Sequence, residues 1–205
     1  MRARLLVVCL LLTGSLFAGR SLILVTNRGD IEAELLPDVA PLFVAAFEEF
    51  VSAEAFDSLR VTLQPGQYLL VEPGVGAPGF PALPLEVNTA ALGLDTLLVR
   101  DSWHAGLLPA HHALQDSSVA TLLRRQGYRF LPSQASLSTR RGMLAAHCTG
   151  TGTPTGGFFI VLSDAASRWL NGRYTVFGRV VSGEELLGEP QAAVEPLRVH
   201  HLILR

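Results

Sequence analysis

The chain has 205 residues, with 16 basic and 18 acidic side chains for a formal charge of -2, and 49% of its residues are hydrophobic. That length fits one domain plus a short leader, and the acidic balance lacks the basic stripe that nucleic-acid binding calls for. All the basic residues are arginine, a bias from which no function is read.

Residues 1–18 read as a secretory signal: Arg2 and Arg4 precede the apolar run from Leu5 to Leu12, and Leu16-Phe17-Ala18 forms a cleavage site. The mature chain is expected to start near Gly19 and to be periplasmic or secreted in a bacterium. The apolar run is shorter than the roughly 20 residues of a spanning helix, so membrane contact is expected only if the signal stays uncut. Removing Arg2 and Arg4 from the 16 basic residues leaves 14 against 18 acids, a formal charge of -4. Cys9 is lost with the leader, which leaves Cys148 as the only thiol and no intramolecular disulfide.

Next comes a hairpin. Residues 21–26 and 31–36 are apolar, loosely alternating runs joined by the turn residues Asn27-Arg28-Gly29-Asp30. Pro41 then opens a helix over residues 42–52, with Phe43, Ala46, Phe47 and Phe50 at helical spacing to cover an open end of a sheet. The Pro- and Gly-rich stretch 72–84 reads as an irregular loop. Later, residues 156–162 and 174–180 are apolar strands on either side of an Asn171-Gly172 turn. Their aromatics are placed to line a preformed apolar pocket. Side-chain alternation turns Phe158 inward and Phe159 outward, and residues 199–204 supply a closing strand.

These motifs resemble the cyclophilin-type peptidyl-prolyl isomerases. The resemblance rests on Asn27 to Ile31 followed by Pro41, on Phe56-Asp57-Ser58 and Pro65-Gly66, on Arg141-Gly142-Met143-Leu144-Ala145-Ala146, and on Gly157-Phe158-Phe159-Ile160 leading into Trp169-Leu170 and Gly172-Arg173-Tyr174-Thr175-Val176-Phe177-Gly178. It spans about residues 21–88 and 137–205 and lapses between. It implies a mainly β domain over residues 19–205: a closed eight-stranded antiparallel barrel with two capping helices. Residues 89–137 read as an insertion with its own hairpin or short helix. A barrel this small fills its interior with side chains, so the ligand groove must lie outside.

The resemblance also implies a chemistry. Rotating a peptide bond costs about 18–20 kcal/mol, and only X-Pro populates both isomers appreciably. Members of the family hold the proline ring in an apolar pocket while an arginine favours the twisted amide, so no nucleophile is required. Carried over by position, Phe159 is the pocket floor, Leu170 its wall and Trp169 the neighbouring indole. Tyr174 stands where the family has histidine, and Tyr68, Ala146 and His147 complete the substrate-binding set. The polar half departs from the pattern. The catalytic arginine position holds Thr62, its orienting glutamine is Leu70, and the glutamine before Phe158 is Gly157. Arg60 lies two residues upstream on the same strand face, displaced by about 6–7 Å, and is the candidate substitute. Isomerase activity is therefore expected to be weak.

Other constellations carry less. His104, His111 and His112 can offer nitrogen ligands but have no regular spacing or cysteine pairing, so neither metal nor cofactor is expected. His147 and Cys148 are strand neighbours whose side chains point apart, and Gly150-Thr151-Gly152 lacks the Lys-Ser/Thr of a phosphate loop. The expected partners are proline-containing peptides or unfolded exported proteins, bound by a monomer. The alternative is a non-catalytic module that holds a partner with the apolar groove or with the segment around Trp103 and His104.

Overall fold

The structure, a computed structural model, describes residues 20–132, 135–187 and 197–205, so the signal-peptide reading lies outside the described residues. Eight strands run in order along the chain: β1 (Ser21–Thr26), β2 (Gly29–Leu35), β3 (Leu59–Gln64), β4 (Tyr68–Pro73), β5 (Met143–Thr149), β6 (Thr153–Val161), β7 (Val176–Ser182) and β8 (Val199–Leu204). Among the described residues three α-helices join them: α1 (Pro41–Ser52), α2 (Val119–Arg125) and α3 (Asp164–Leu170). Among the described residues no helix is long and apolar enough to cross a membrane.

The strands form one antiparallel sheet in the order β3-β4-β6-β5-β7-β2-β1-β8. The sheet curls until its end strands β3 and β8 face each other without a shared ladder, so the barrel is nearly closed where a closed one was expected. Leu63 of β3 and Leu197 before β8 close in with Leu186 and Leu187 around a residual cavity of about 10 Å³. Side chains take over at the seam what backbone hydrogen bonds do elsewhere.

The interior is aromatic. Phe158 and Phe177 point inward from β6 and β7, and α1 lowers Phe43 and Phe47 onto them, with ring centroids 4.6 Å apart for Phe43–Phe177 and 5.6 Å for Phe47–Phe158. Each such side chain contributes roughly 1.5–3 kcal/mol on burial. The helix therefore plugs one barrel end through the spacing already visible in its sequence.

Pro41 starts α1, but its N-cap is Ala40, which has no side-chain oxygen to offer. Glu86 supplies one from 44 residues away: its carboxylate accepts from the N–H of Leu42 at 3.0 Å and of Phe43 at 2.7 Å. The backbone N–H of Glu86 in turn donates to Thr175 Oγ1 at 3.0 Å. One acidic residue thus ties the stretch after β4 to both α1 and the start of β7.

The third helix is not one of the two expected at the barrel ends. Helix α2 lies inside the 89–137 segment, capped by Ser118, whose Oγ accepts from the N–H of Thr121. Leu94, Val99, Val119, Ala120, Leu122 and Leu123 build a small core of their own there. The segment buries enough apolar surface to hold a defined shape.

Candidate functional site

Strand alternation sets the outer face. In β6, Phe158 and Ile160 belong to the interior, whereas Phe159 and Val161 join Ala145, Leu170 and Val176 in a separate cluster outside the barrel. Tyr68, Leu70, Trp169 and Tyr174 pack against it. Five of the expected positions (Phe159, Leu170, Trp169, Tyr174 and Tyr68) are therefore brought together. The short helix α3 delivers Leu170, held by Ser163, whose Oγ accepts from the N–H of Ala165 at 3.1 Å. Gly172, at φ +80°, then turns the chain into β7, and a Cβ there would collide with Leu94.

The apolar pocket expected here is covered. Tyr174 stands edge-on to Phe159, centroids 5.0 Å apart at 90°, and Tyr68 leans over the same ring at 5.3 Å. Phe159 is left only 3% exposed. A histidine or methionine at these places would be smaller or more pliable, but two tyrosines cover the floor. Burial raises the pKa of Tyr174 above the ordinary phenol value, with smaller contributions from Tyr128, Cys148 and Tyr68 and an opposing one from Arg173. Its hydroxyl stays a neutral donor at the rim.

Cross-strand register places the polar candidates. Thr62 pairs with Leu70, and Leu70 with Phe159, so the three lie in one row across β3, β4 and β6. Thr62 is exposed and two strands, about 9–10 Å, from Phe159. Arg60 pairs with Glu72 one row away, and its guanidinium lies 3.7 Å from the Glu72 carboxylate. It is directed along its own row, away from Phe159.

Ala146 does not reach this face. It is fully buried in the interior cluster, and its neighbour Ala145, paired with Phe159, takes the outward place. A register shift between Ala146 and Cys148 then lets His147 lie toward Glu72, its Nδ1 3.6 Å from the carboxylate and 3.2 Å from Thr155 Oγ1. Burial lowers the His147 pKa and Glu72 partly offsets that. His147 thus belongs to the Arg60–Glu72 row and not to the Phe159 row. Cys148 donates to the carbonyl of Ala146 at 3.6 Å, and burial pushes its thiol up to about 12. It is no nucleophile.

Taken together, the face is an apolar aromatic plate with hydroxyls at its edge. It can stack a small ring and offer neutral hydrogen bonds. Sequence reasoning missed Ala145, which parity with Phe159 would have found once the β5 register was known. It also missed the capping role of Glu86, which no local signal carries.

The comparisons agree with this architecture. The family described as Cyclophilin type peptidyl-prolyl cis-trans isomerase/CLD matches residues 105–197, a span that begins inside the 89–137 segment. No curated protein matches the sequence. Among solved structures, a Cryptosporidium parvum cyclophilin type peptidyl-prolyl cis-trans isomerase superposes with TM-score 0.55 at 18% identity, covering 91% of this chain and 98% of that one. The same protein in the presence of the dipeptide Ala-Pro gives TM-score 0.53 at 16% identity, covering 90% and 98%. The cyclophilin AquaCyp293 from Hirschia baltica gives 0.54 at 16% identity, covering 89% of this chain and 73% of that one. The eight-stranded, nearly closed sheet with its three helices is a cyclophilin-like fold, and residues 105–197 carry the sequence pattern of that isomerase family.

Proposed function

We propose that the protein binds proline-containing segments of exported bacterial proteins across the face around Phe159, and isomerises them slowly. The observation that carries this reading is the Thr62–Leu70–Phe159 row: the aromatic half of a proline site is present, and the place of its charged donor holds a short hydroxyl. Removing one preorganised donor typically costs a factor of about 10²–10³ in kcat. Support for the ligand class comes from the similar fold crystallised with Ala-Pro. Residues 89–137 are, on this reading, an insertion beside the ligand face, and residues 1–18 direct the chain out of the cytoplasm.

The test pairs an isomerase assay on an X-Pro peptide with chemical-shift mapping of the same peptide. Shifts at Phe159, Leu170 and Tyr174 with a rate about 10²-fold or more below that of ordinary cyclophilins are expected. A rate in the ordinary range, abolished in Arg60→Ala, would mean that Arg60 leaves Glu72 to act on substrate. The tyrosines over Phe159 favour the second reading, a non-catalytic binding module. Binding at Phe159 with no turnover at all would establish it, and absence of any shift on this face would overturn both.

A further inference from the structure

Three of the side chains around Phe159 are aromatics with a polar tip, each from a different part of the chain: Tyr68 opens β4, Trp169 sits near the end of α3, and Tyr174 precedes β7. Tyr68 and Tyr174 pack on Phe159 with ring centroids 5.3 and 5.0 Å away, and Trp169 stands 6.2 Å from Tyr68. The ring planes meet at 49°, 90° and 60° respectively, so together they present a corrugated ridge. Phe159 lies beneath it, and no slot is left for a lone proline ring to enter.

The tips are free. All three rings are partly exposed. The Tyr68 and Tyr174 hydroxyls and the Trp169 indole N–H bond to no described residue, and none of them is among the buried polar atoms left without a partner. Each therefore meets solvent as an open donor. The charges closest in sequence and register bond to none of these tips: Arg173, which precedes Tyr174 and acts on its phenol, and the Arg60–Glu72 pair one row away. The ridge offers neutral donors set among ring faces.

A single X-Pro bond uses such a surface poorly. Its one ring finds no slot, and the flexible chain on either side loses conformational freedom on lying down. A polyproline II helix fits better, because it has no internal hydrogen bonds and its carbonyls are bare acceptors. At about 3.1 Å per residue, two residues advance it by about 6 Å, close to the steps between neighbouring ring centroids. It is also ordered before it binds.

We infer that the ligand class of this face is a polyproline II segment with prolines on successive turns. Tyr68, Trp169 and Tyr174 donate to its main-chain carbonyls while its pyrrolidine rings lie against their faces. The inference rests on the proline reading above and narrows it from an isolated X-Pro bond to proline-rich stretches of a partner polypeptide. Such a ground-state complex needs no charged donor beside a twisted amide, which accords with Thr62 in the arginine position.

The test titrates the full chain with two capped, uncharged decapeptides, one of Ala-Pro-Pro repeats and one of Ala and Ser with a single central Ala-Pro. Binding is followed by NMR at the Trp169 indole and at the Tyr68 and Tyr174 rings. The proline-rich peptide is expected to bind about tenfold more tightly or better. Tyr68→Phe, Tyr174→Phe and Trp169→Phe each keep an aromatic ring and lose the donor, and each should weaken that binding about twofold to tenfold. Equal affinity for the two peptides would overturn this inference and leave the proline reading standing, as would unchanged affinity in all three variants. No shift from either peptide would remove the proline reading and this inference together.

Discussion

On the proposed reading, Thr62 is the residue on which the isomerase rate turns. Its row position relative to Phe159 is intact, and an arginine there is long enough to reach across β4 toward the aromatic plate. Thr62→Arg is therefore expected to raise the isomerase rate, by up to about 10²-fold if the guanidinium is held in place, with little effect on stability because the site is exposed. An unchanged rate in a standard peptide assay would place the defect in the tyrosine cover instead. Gly156 acts by different physics. It sits at φ +82°, where a Cβ would collide with Phe50 and come within 2.9 Å of Phe80. Gly156→Ala should cost about 1–3 kcal/mol, read as a lower urea midpoint. Since Gly156 sits in β6 just upstream of Phe158 and Phe159, the Phe159 signals should shift as well.

At the scale of elements, α1 depends on a cap it does not carry. Glu86→Ala would leave the N–H groups of Leu42 and Phe43 buried without acceptors, at about 1–3 kcal/mol for each unsatisfied group. Thermal unfolding should show the loss, and an unchanged Tm would mean that water replaces the carboxylate. What could be read in advance divides along the same line. The hairpin of β1 and β2, the Phe spacing of α1 and the inward-outward phase of Phe158 and Phe159 are local patterns, and local patterns are legible. The irregularity after Ala146 shifts the register by two residues, with His147 lying beside Glu72, and the parity of β5 put Ala145 where Ala146 was expected. Neither leaves a mark in composition. The distant partners of Glu86 and the paths of β3 and β8 along the seam depend on how the whole sheet curls, which pairwise sequence signals do not encode.

For the molecule as a whole, buried titratable groups set how stability follows pH. His104 has its pKa lowered from 6.5 to about 4 by burial and by Arg173, so the unfolded chain binds a proton in this window that the folded chain refuses. Stability is then highest above pH 6.5 and falls as the pH drops toward 4, by about 1.4 kcal/mol per pH unit at most and roughly 3 kcal/mol over the window. His147, also lowered by burial, adds to the same slope. Glu86 opposes it: burial raises its pKa above 4.5, against the two backbone N–H bonds that lower it. Its contribution is fully present below pH 4.5 and is lost as the pH rises through the folded-state value. Urea midpoints measured from pH 7 to pH 4 should therefore decline with acidification. In His104→Phe the decline should flatten and the midpoint at pH 7 should rise, because a buried ring nitrogen with no hydrogen-bond partner among the described residues has gone. In Glu86→Gln the decline should steepen, since this opposing contribution is then silent. A His104→Phe profile parallel to the parent would show that this imidazole meets water or a proton freely in the folded chain.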